Sequence, residues 1–314
     1  MGAPGRGSSS LWIFVVVAAA ASSITGGEPP REIPVDLRDD FTMQGKIPVE
    51  SYYVDDSNGG EGTHYQFPRL DIDAMLLNVQ QQKANMQRLI SLGIGLQNKP
   101  SWIYQALLKY PIEGLEVVVF GSMEPYFECI CLAHGAKTVT TVEYNKLTFE
   151  HPQLKTLTVE EFHQKKHTLK FDAAFSISSF DHDGLGRYGD PINPNGDVEA
   201  MEMVKGVLRP HGKFYFSVPI GPDVLAWNLH RRYGRIRLPL MLQQRSFNHL
   251  GWRTVTRVGW HERKLDAPKP YMVSYEPLFV LTPDGDDSED EGEGRSGGSG
   301  GAEEQQSEKT HDEL

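Results

Sequence analysis

The stretch EVVVFGS, residues 116–122, decides the fold. Its apolar core, residues 117–120, is a continuous hydrophobic run of the kind found in strands that a parallel sheet buries on both faces. Gly121 and Ser122 end the run in a turn. Pro125 then opens a helix that reaches about His134, because proline suits the first helical turn. The stretch therefore predicts a buried strand, a glycine turn and a helix, in that order.

Strand and helix patterns keep alternating after this unit. Strands are expected at 138–142, 154–157, 171–178, 213–218, 254–258 and 275–281. Thr158 and Glu161 have the spacing of a capping box, and Asp197 is the expected cap of a helix that reaches Leu208. Arg209 to Gly212 is an expected turn. The alternation predicts an α/β fold, a doubly wound and mostly parallel sheet with helices on both faces.

The region before the sheet divides into an extended part and a helical part. Residues 27–69 contain prolines, aromatics and glycines without a period, and we expect an extended lead-in. Apolar residues recur at helical spacing from Ile72 to Ile90, with Asp71 as the expected cap. A second helix is expected from Ser101 to Lys109. The domain plan is therefore an extended lead-in and helical extension over 24–110, followed by the sheet domain over 111–282.

The charge of the chain lies mostly at its C-terminus. The 314 residues have a formal net charge of −11, and residues 284–314 hold 12 acidic and 2 basic residues of that total. The rest of the chain is almost neutral, with 29 basic and 30 acidic residues. A neutral folded part has no global field to attract nucleic acid. Nucleic acid is therefore not an expected partner.

The N-terminus has the pattern of a secretory signal peptide over residues 1–23. Arg6 precedes an apolar run from Leu11 to Ala21, and small residues follow. The run is too short to cross about 30 Å of hydrocarbon as a helix, so no membrane span is expected. A short signal anchor is the alternative interpretation.

The C-terminal segment 283–314 is acidic, rich in glycine and serine, and ends in His311-Asp312-Glu313-Leu314. That tetrapeptide is a retention signal of the endoplasmic reticulum, which a receptor reads. The acidic segment has too few apolar residues to fold, so we expect a disordered tail that exposes the signal. Together the two termini predict a location in the endoplasmic-reticulum lumen, with the retention-signal receptor as a partner.

Cys129 and Cys131 are the only cysteines. Two cysteines exclude a disulfide scaffold and a four-cysteine zinc site. They lie two residues apart on the first helix and face different directions, so we expect two buried free thiols. His163 and His167 are one helical turn apart, but Gln164 stands where a zinc peptidase needs glutamate, and we expect both to be exposed. No metal site is predicted.

A ligand crevice is expected where Gly121 and Glu143 come together. In an open α/β sheet, ligands bind beyond the carboxyl ends of the strands, at the point where strand order reverses. The helix after Gly121 presents free backbone N–H groups there. Glu143 ends the second strand, at the spacing of a carboxylate that accepts hydrogen bonds from both hydroxyls of a ribose. A surface glutamate on a turn is the alternative.

The sheet domain resembles the class I S-adenosylmethionine-dependent methyltransferases. The resemblance lies in residues 117–121, 141–143 and 207–213, and the two late strands are similar to the final antiparallel hairpin of that Rossmann-like fold. More specifically, GLGRYGDP at 184–191 and NLHR at 228–231 resemble signatures of an uncharacterised family with this fold. The resemblance implies S-adenosylmethionine as the cofactor.

The expected cofactor-binding residues are Gly121, Ser122, Glu124, Glu143 and Ser178. The first loop departs from the superfamily pattern, in which an acidic residue stands two positions before the first of two or three glycines. This chain has valine at that position and a single glycine. In such a loop, Glu124 is the group expected to face the amino group of the cofactor.

The segment after the fourth strand, SSFDHD at 178–183, is the expected reactive segment. His182 is the candidate general base toward a substrate hydroxyl, with Asp183 as its acidic neighbour. Methyl transfer needs little beyond in-line positioning of its two reactants. The alternative is that Asp181 and Asp183 cap turns and that His182 is a solvated loop residue.

Two further segments supply the expected substrate-binding residues. Arg187, Tyr188 and Asp190 lie in the glycine-punctuated loop 184–191, which is suited to closing over a substrate. The alternative is an Arg187–Asp190 pair that shapes the loop. His230 and Arg231 begin a basic run suited to a phosphate or a carboxylated sugar, and the alternative there is a solvated helix face.

Two functions fit these features. The first is a methyltransferase of the endoplasmic-reticulum lumen that acts on a hydroxyl of a glycan, a glycolipid or a small acceptor. The second is a catalytically degenerate form of the same fold that binds a nucleotide, a sugar nucleotide or a protein client. The single-glycine loop favours the second function, whereas Glu143 and the segment 181–190 favour the first.

Overall fold

A computed structural model describes residues 28–94, 98–242, 251–267 and 275–284. The expected signal peptide (1–23), the acidic segment beyond residue 284 and the expected retention signal (311–314) lie outside these ranges. Within them, no helix combines the length and the apolar character that a membrane crossing requires.

Twelve strands and seven α-helices are present in the described part of the chain. The strands are β1 (Val49–Tyr52), β2 (His64–Phe67), β3 (Glu116–Phe120), β4 (Thr138–Glu143), β5 (Lys146–Phe149), β6 (Leu154–Thr158), β7 (Phe171–Ile177), β8 (Leu208–Ser217), β9 (Val224–Asn228), β10 (His230–Arg232), β11 (Trp252–Val258) and β12 (Leu278–Pro283). The helices are α1 (Arg38–Phe41), α2 (Arg69–Ser91), α3 (Lys99–Lys109), α4 (Tyr126–Ala133), α5 (Val159–Lys165), α6 (Gly196–Val207) and α7 (Leu238–Leu242).

The main sheet has seven strands in the order β11-β12-β8-β7-β3-β4-β6. Strands β6, β4, β3, β7 and β8 pair in parallel, and β12 pairs antiparallel with both β8 and β11. The predicted mostly parallel α/β sheet with a final antiparallel hairpin is therefore confirmed. Strand order reverses between β3 and β7, which is where a ligand crevice is expected in such a sheet.

Strand β3 lies at the centre of the sheet, as its apolar run predicts. Val117 to Phe120 are all buried, and they pair with β4 on one side and β7 on the other. The capping box of α5 is also confirmed: the Thr158 hydroxyl accepts from the N–H of Glu161, whose carboxylate accepts from the N–H of Thr158. Cys129 and Cys131 are free and buried, as expected.

Two expected helix caps are wrong. Helix α2 begins at Arg69 after Pro68, so Asp71 lies in its first turn, where its charge favours the helix dipole without capping. Helix α6 begins at Gly196 after Asn195. Asp197 is fully buried inside that helix and pairs with Arg237, the two atoms Oδ1 and Nη2 lying 2.6 Å apart. A buried carboxylate needs such a partner, and this one serves packing between elements rather than a helix end.

The expected turn at 209–212 is part of a strand. β8 begins at Leu208, which pairs with Phe171, whereas Lys213 pairs with Ala173. The four intervening residues are taken up by an irregularity in register, with His211 in the left-handed region at φ +62°. Helix α3 likewise begins at Lys99 rather than Ser101, because the Asn98 side chain caps it by accepting from the Ser101 N–H.

The expected extended lead-in contributes strands to two small sheets. β1 pairs in parallel with β9, which also pairs with β10, and β2 pairs in parallel with β5. A small apolar cluster joins this segment to the rest of the fold; its buried members are Ile33, Phe41, Ile47, Leu185, Leu225 and Trp227. The first part of the chain therefore packs against the region that follows β8, beside the loop that contains Leu185.

Candidate functional site

A crevice of about 1490 Å³ opens at the carboxyl ends of β3, β4 and β7. It continues between α5 and α6 along one face of the sheet. Most of the predicted site residues line it: Gly121, Ser122, Glu124, Glu143, Ser178, His182, Asp183 and Tyr188. The crevice therefore brings the expected cofactor loop, the Glu143 strand end and the expected reactive segment to one place.

Gly121 occupies a position that only glycine fits. Its φ is +70°, in the left-handed region, and a Cβ built there would lie 1.8 Å from Ser179 Oγ. Its N–H donates to the Val142 carbonyl at 2.9 Å, which ties the loop to β4. The single glycine therefore allows β3 to turn close to the segment that follows β7.

The other two predicted loop residues point in opposite directions. Ser122 is buried, and its Oγ lies 2.8 Å from the Glu124 carbonyl and 3.1 Å from Glu128 Oε2. The Glu124 side chain is exposed at the rim of the crevice. The Ser122 hydroxyl thus serves the loop itself, and Glu124 is the loop side chain that is open to a ligand.

Glu128 contacts the first loop through Ser122, and the sequence interpretation missed it. It lies on α4, is fully buried, and its Oε1 accepts from Thr141 Oγ1 at 2.6 Å. Burial raises the pKa of this carboxyl to about 7. The sequence offered one indication of this burial. Glu128 directly precedes Cys129 to Leu132, an apolar run that is expected to be buried.

Glu143 ends β4 inside the crevice and is buried. Its Oε1 accepts from the backbone N–H and the side-chain amide of Asn145, both at 3.3 Å. Within the described chain, no side chain other than Asn145 hydrogen-bonds this carboxylate. Burial raises the pKa of Glu143 above its ordinary value, and the Asn145 hydrogen bonds oppose the shift. The surface-turn alternative for this residue is wrong.

His182 is hydrogen-bonded through one ring nitrogen, and its other ring nitrogen lies beside a carboxyl group. Nδ1 lies 2.6 Å from the Leu229 carbonyl oxygen and must carry the hydrogen, because a carbonyl only accepts. Nε2 lies 3.4 Å from Asp181 Oδ2. Burial lowers the pKa of His182 to about 4, so the ring is neutral at physiological pH. With 16% of its side chain exposed, His182 is not a solvated loop residue.

The two aspartates beside His182 have different positions. Asp181 is buried behind the crevice, where its Oδ1 has no hydrogen-bond partner within the described ranges. Asp183 lines the crevice, and in the described chain no hydrogen bond reaches its carboxylate. Burial, followed by the charge of Asp190, raises the pKa of Asp183 well above its ordinary value. Asp183 is therefore the acid of this segment that faces the open space.

The glycine-punctuated loop is shaped by Asp190 without Arg187. Asp190 accepts from the N–H groups of Gly186 at 2.9 Å and Tyr188 at 3.2 Å. Arg187 instead pairs with Asp56, with Nε and Oδ2 2.7 Å apart. The alternative of an Arg187–Asp190 pair is therefore wrong. Tyr188 lines the crevice with its ring edge-on to His182, the two ring centroids lying 5.5 Å apart.

His230 and Arg231 lie on β10, behind the wall of the crevice. Arg231 is 3% exposed and donates to the carbonyls of Asp183 at 2.6 Å and of Asn193 and Pro194 at 3.4 Å. The alternative of a solvated helix face is wrong, since the residue is buried in a strand. The hydrogen bonds of Arg231 go to the protein, so it fixes the wall from behind.

The far end of the crevice has a basic side. His163, Lys166, His167 and Lys170 line it, and both histidines are exposed as expected. Among the described residues, no group of three or more histidine, cysteine, aspartate or glutamate side chains has a metal-binding arrangement.

Residues 114–255 match the family described as "Caenorhabditis protein of unknown function, DUF268". A search of curated proteins finds no match.

Methyltransferases are among the similar solved structures, and their sequence identity to this chain is low. One is the 1,6-didemethyltoxoflavin-N1-methyltransferase of Burkholderia thailandensis, with bound 1,6-didemethyltoxoflavin and S-adenosylhomocysteine. It has 18% identity and a TM-score of 0.39 over 69% of this chain and 91% of that one. Another is an S-adenosylmethionine-dependent methyltransferase from Mesorhizobium loti, with 13% identity and a TM-score of 0.37 over 57% of this chain and 97% of that one.

Replacing Gly121 with alanine tests the geometry of the loop. We expect Gly121→Ala to lower the free energy of unfolding by about 1–2 kcal/mol for the positive φ, plus about 1–3 kcal/mol for the clash with Ser179. Gly114→Ala is the matched control, because Gly114 has φ +75° and open space around its Cβ position. Urea denaturation measures both variants. Equal losses would show that Ser179 does not restrict the loop.

Proposed function

We propose that this protein is an S-adenosylmethionine-dependent methyltransferase and that the crevice is its active site. The observation that carries the proposal is Glu143, a buried carboxylate at the end of β4, beside the Gly121 turn at the reversal of strand order. Bound S-adenosylmethionine would supply a methyl group on a positively charged sulfur.

The residues at the crevice fit this cofactor. The Glu143 carboxylate is anchored through Oε1 by Asn145, and it has no other side-chain partner in the described chain, so it can accept from ribose hydroxyls. Tyr126 and Phe127, the first residues of α4, line the same space, and a helix N-terminus suits the carboxylate of the amino-acid part. Glu124 is exposed at the rim, where it can face the amino group of the cofactor, and Ser178 also lines the crevice.

Asp183 is the group that we assign to the proton of the acceptor. It faces the crevice without a hydrogen-bond partner in the described residues, and its raised pKa makes it a stronger base than an ordinary carboxylate. The acceptor is a hydroxyl of a glycan, a glycolipid or a small molecule, and its proton passes to the Asp183 carboxylate. His182, first expected to be the base, has both ring nitrogens beside protein oxygens and acts as a positioning residue next to Tyr188.

A binding module without catalysis is the second candidate. The observation that favours it is the first loop, in which Ser122 is buried and its hydroxyl is used inside the protein. Such a protein would hold a nucleotide, a sugar nucleotide or a protein client in the same crevice. The two candidates differ in turnover, which only the methyltransferase would show.

The proposed location is the lumen of the endoplasmic reticulum. The pattern of residues 1–23 and the sequence 311–314 support this location. The secretion and retention machinery of the cell would recognise these two segments, which are separate from the crevice. The acceptor would then be a luminal molecule, and the retention-signal receptor a partner of the tail.

Glu143→Ala should weaken S-adenosylmethionine binding by about 2–3 kcal/mol, because two charge-assisted hydrogen bonds to the ribose are lost. Isothermal titration calorimetry on the full chain measures the affinity. Glu199→Ala is the control, since Glu199 is an exposed carboxylate on the α6 side of the crevice. Unchanged affinity in Glu143→Ala would remove the basis of the proposal.

Asp183→Asn should lower turnover by about 10²-fold or more and leave cofactor affinity nearly intact, because the proton acceptor is lost. Turnover of the unmodified protein should rise with pH through the raised pKa of Asp183, since only the ionised carboxylate accepts a proton. In Asp183→Asn this rise should disappear. In His182→Ala, turnover should still increase with pH, and its value should fall by less than in Asp183→Asn. If turnover of His182→Ala no longer depended on pH, His182 would be the base instead of Asp183.

Deleting residues 311–314 should release the protein into the medium of cultured cells, because the receptor no longer returns it to the endoplasmic reticulum. Immunoblotting of cells and medium measures the distribution. A matched variant with these four residues replaced by alanine separates loss of the signal from loss of length. Full intracellular retention of both variants would contradict the proposed location.

A further inference from the structure

Glu128 connects the first loop to the neighbouring strand from below. Its Oε1 lies 2.6 Å from Thr141 Oγ1 on β4, and its Oε2 lies 3.1 Å from Ser122 Oγ in the loop. Ser122 Oγ is also 2.8 Å from the Glu124 carbonyl oxygen. That carbonyl accepts from the N–H of Tyr126 at 2.7 Å, at the start of α4. One buried chain of polar groups therefore runs from β4 through the loop to the first residue of the helix.

The protonation state of Glu128 decides whether every acceptor in this series of polar groups receives a hydrogen bond. The Ser122 hydroxyl has one hydrogen and faces two acceptors, the Glu124 carbonyl and Glu128 Oε2. If Glu128 carries a proton, Thr141 donates to Oε1, the acid donates from Oε2 to Ser122, and Ser122 donates to the carbonyl. Each hydroxyl hydrogen then has one acceptor. If Glu128 is ionised, the carboxylate competes with the Glu124 carbonyl for the single Ser122 hydrogen.

The groups that favour the ionised form of Glu128 are hydrogen-bond donors, namely its own backbone N–H and the hydroxyls of Thr141 and Ser122. In the described chain no lysine, arginine or histidine forms an ion pair with it. The titratable groups close to it are the thiols of Cys129 and Cys131, and burial raises the pKa of both, so they stay neutral. An isolated buried carboxylate is costly, whereas the neutral acid with both oxygens hydrogen-bonded is not.

We infer that Glu128 is a positioning residue for the loop 121–125 and that it holds the loop in place only while it carries a proton. Ionisation draws the Ser122 hydrogen away from the Glu124 carbonyl and loosens the turn between Gly121 and α4. The effect on the cofactor rests on the proposed function, because this loop is the proposed cofactor loop. The effect on the loop itself is independent of the proposed function.

The direction of the pH dependence follows from the raised pKa. The unfolded chain ionises Glu128 near its ordinary value of 4.5, and the folded chain near about 7. The contribution of Glu128 to stability is therefore complete below the lower value and is lost as pH rises through the higher one. Other buried carboxyls of the crevice shift in the same direction, so the comparison must be made between variants that differ only at residue 128.

Glu128→Gln is the deciding variant, because its amide accepts from Thr141 and donates to Ser122 at every pH, as the protonated acid does. Glu128→Ala removes both interactions, and Ser122→Ala removes the competition for the hydrogen. The measurement is hydrogen–deuterium exchange of the loop 121–125 in the ligand-free full chain, corrected for the intrinsic pH dependence of exchange. Thermal unfolding over the same pH range reports global stability.

Between about pH 6 and pH 8, protection of the loop in the unmodified protein should fall by about fivefold relative to Glu128→Gln, the equivalent of one lost hydrogen bond. Glu128→Ala should have low protection at every pH, and the Ser122→Ala loop should lose the pH dependence. Equal pH profiles for the unmodified protein and Glu128→Gln would overturn the inference.

Calorimetric titration with S-adenosylmethionine at both pH values extends the test to the proposed function. Affinity should fall with rising pH in the unmodified protein relative to Glu128→Gln. If no variant binds the cofactor but the exchange profiles behave as expected, the proposed function fails and the inference about the loop stands. If the cofactor binds and the exchange profiles coincide, the inference fails and the proposed function stands.

Discussion

The buried carboxylate of Asp197 is the interaction on which the wall of the crevice depends. It accepts from Arg237 Nη2 at 2.6 Å and Nε at 2.8 Å and from the Tyr233 hydroxyl at 2.9 Å, and Arg231 Nε lies 3.8 Å away. Both terminal nitrogens of Arg231, and Nη2 of Arg237, also donate to backbone carbonyls in the segment 183–194. One ionised group in α6 thereby fixes two arginines, and the arginines fix the loop that carries Asp183 and Tyr188.

Burial is the common cause of the electrostatics of the crevice. The carboxyls of Glu128, Glu143, Asp183 and Asp190 all have raised pKa values, and desolvation is the first cause in each case. Asp197 is the exception, since its arginines lower its pKa despite complete burial. The molecule therefore separates two kinds of buried acid: one is permanently charged and holds the architecture, and the others titrate at higher pH and line or support the open space.

The sequence predicted the parallel sheet because local patterns encode it. Continuous apolar runs such as 117–120 need two covered faces, and a capping box needs only Thr158 and Glu161. The small sheets could not be predicted, because β1 and β9 are short and their partner strands lie far away in the chain. The burial of Arg231 also depends on Asp197, which is distant in the sequence. Without knowledge of that partner, the basic run that begins at His230 has the pattern of an exposed surface. At the site, Gly121 and Glu143 follow from their positions at strand ends, but the role of Glu128 appears only when Ser122 and Thr141 are seen around it.

The pairing of β1 with β9 has a consequence for how the chain is made. Val49 lies opposite Leu225, so the first strand has no partner until most of the chain has left the ribosome. Contacts of such long sequence separation form late, after the loop-closure entropy between them has been overcome. The central sheet can assemble from segments that are close in the sequence, whereas the small sheet of β1, β9 and β10 can form only after β9 has been synthesised. A nascent chain would therefore leave the apolar side chains of Ile33, Phe41 and Ile47 without their neighbours Leu225 and Trp227 until β9 has been synthesised.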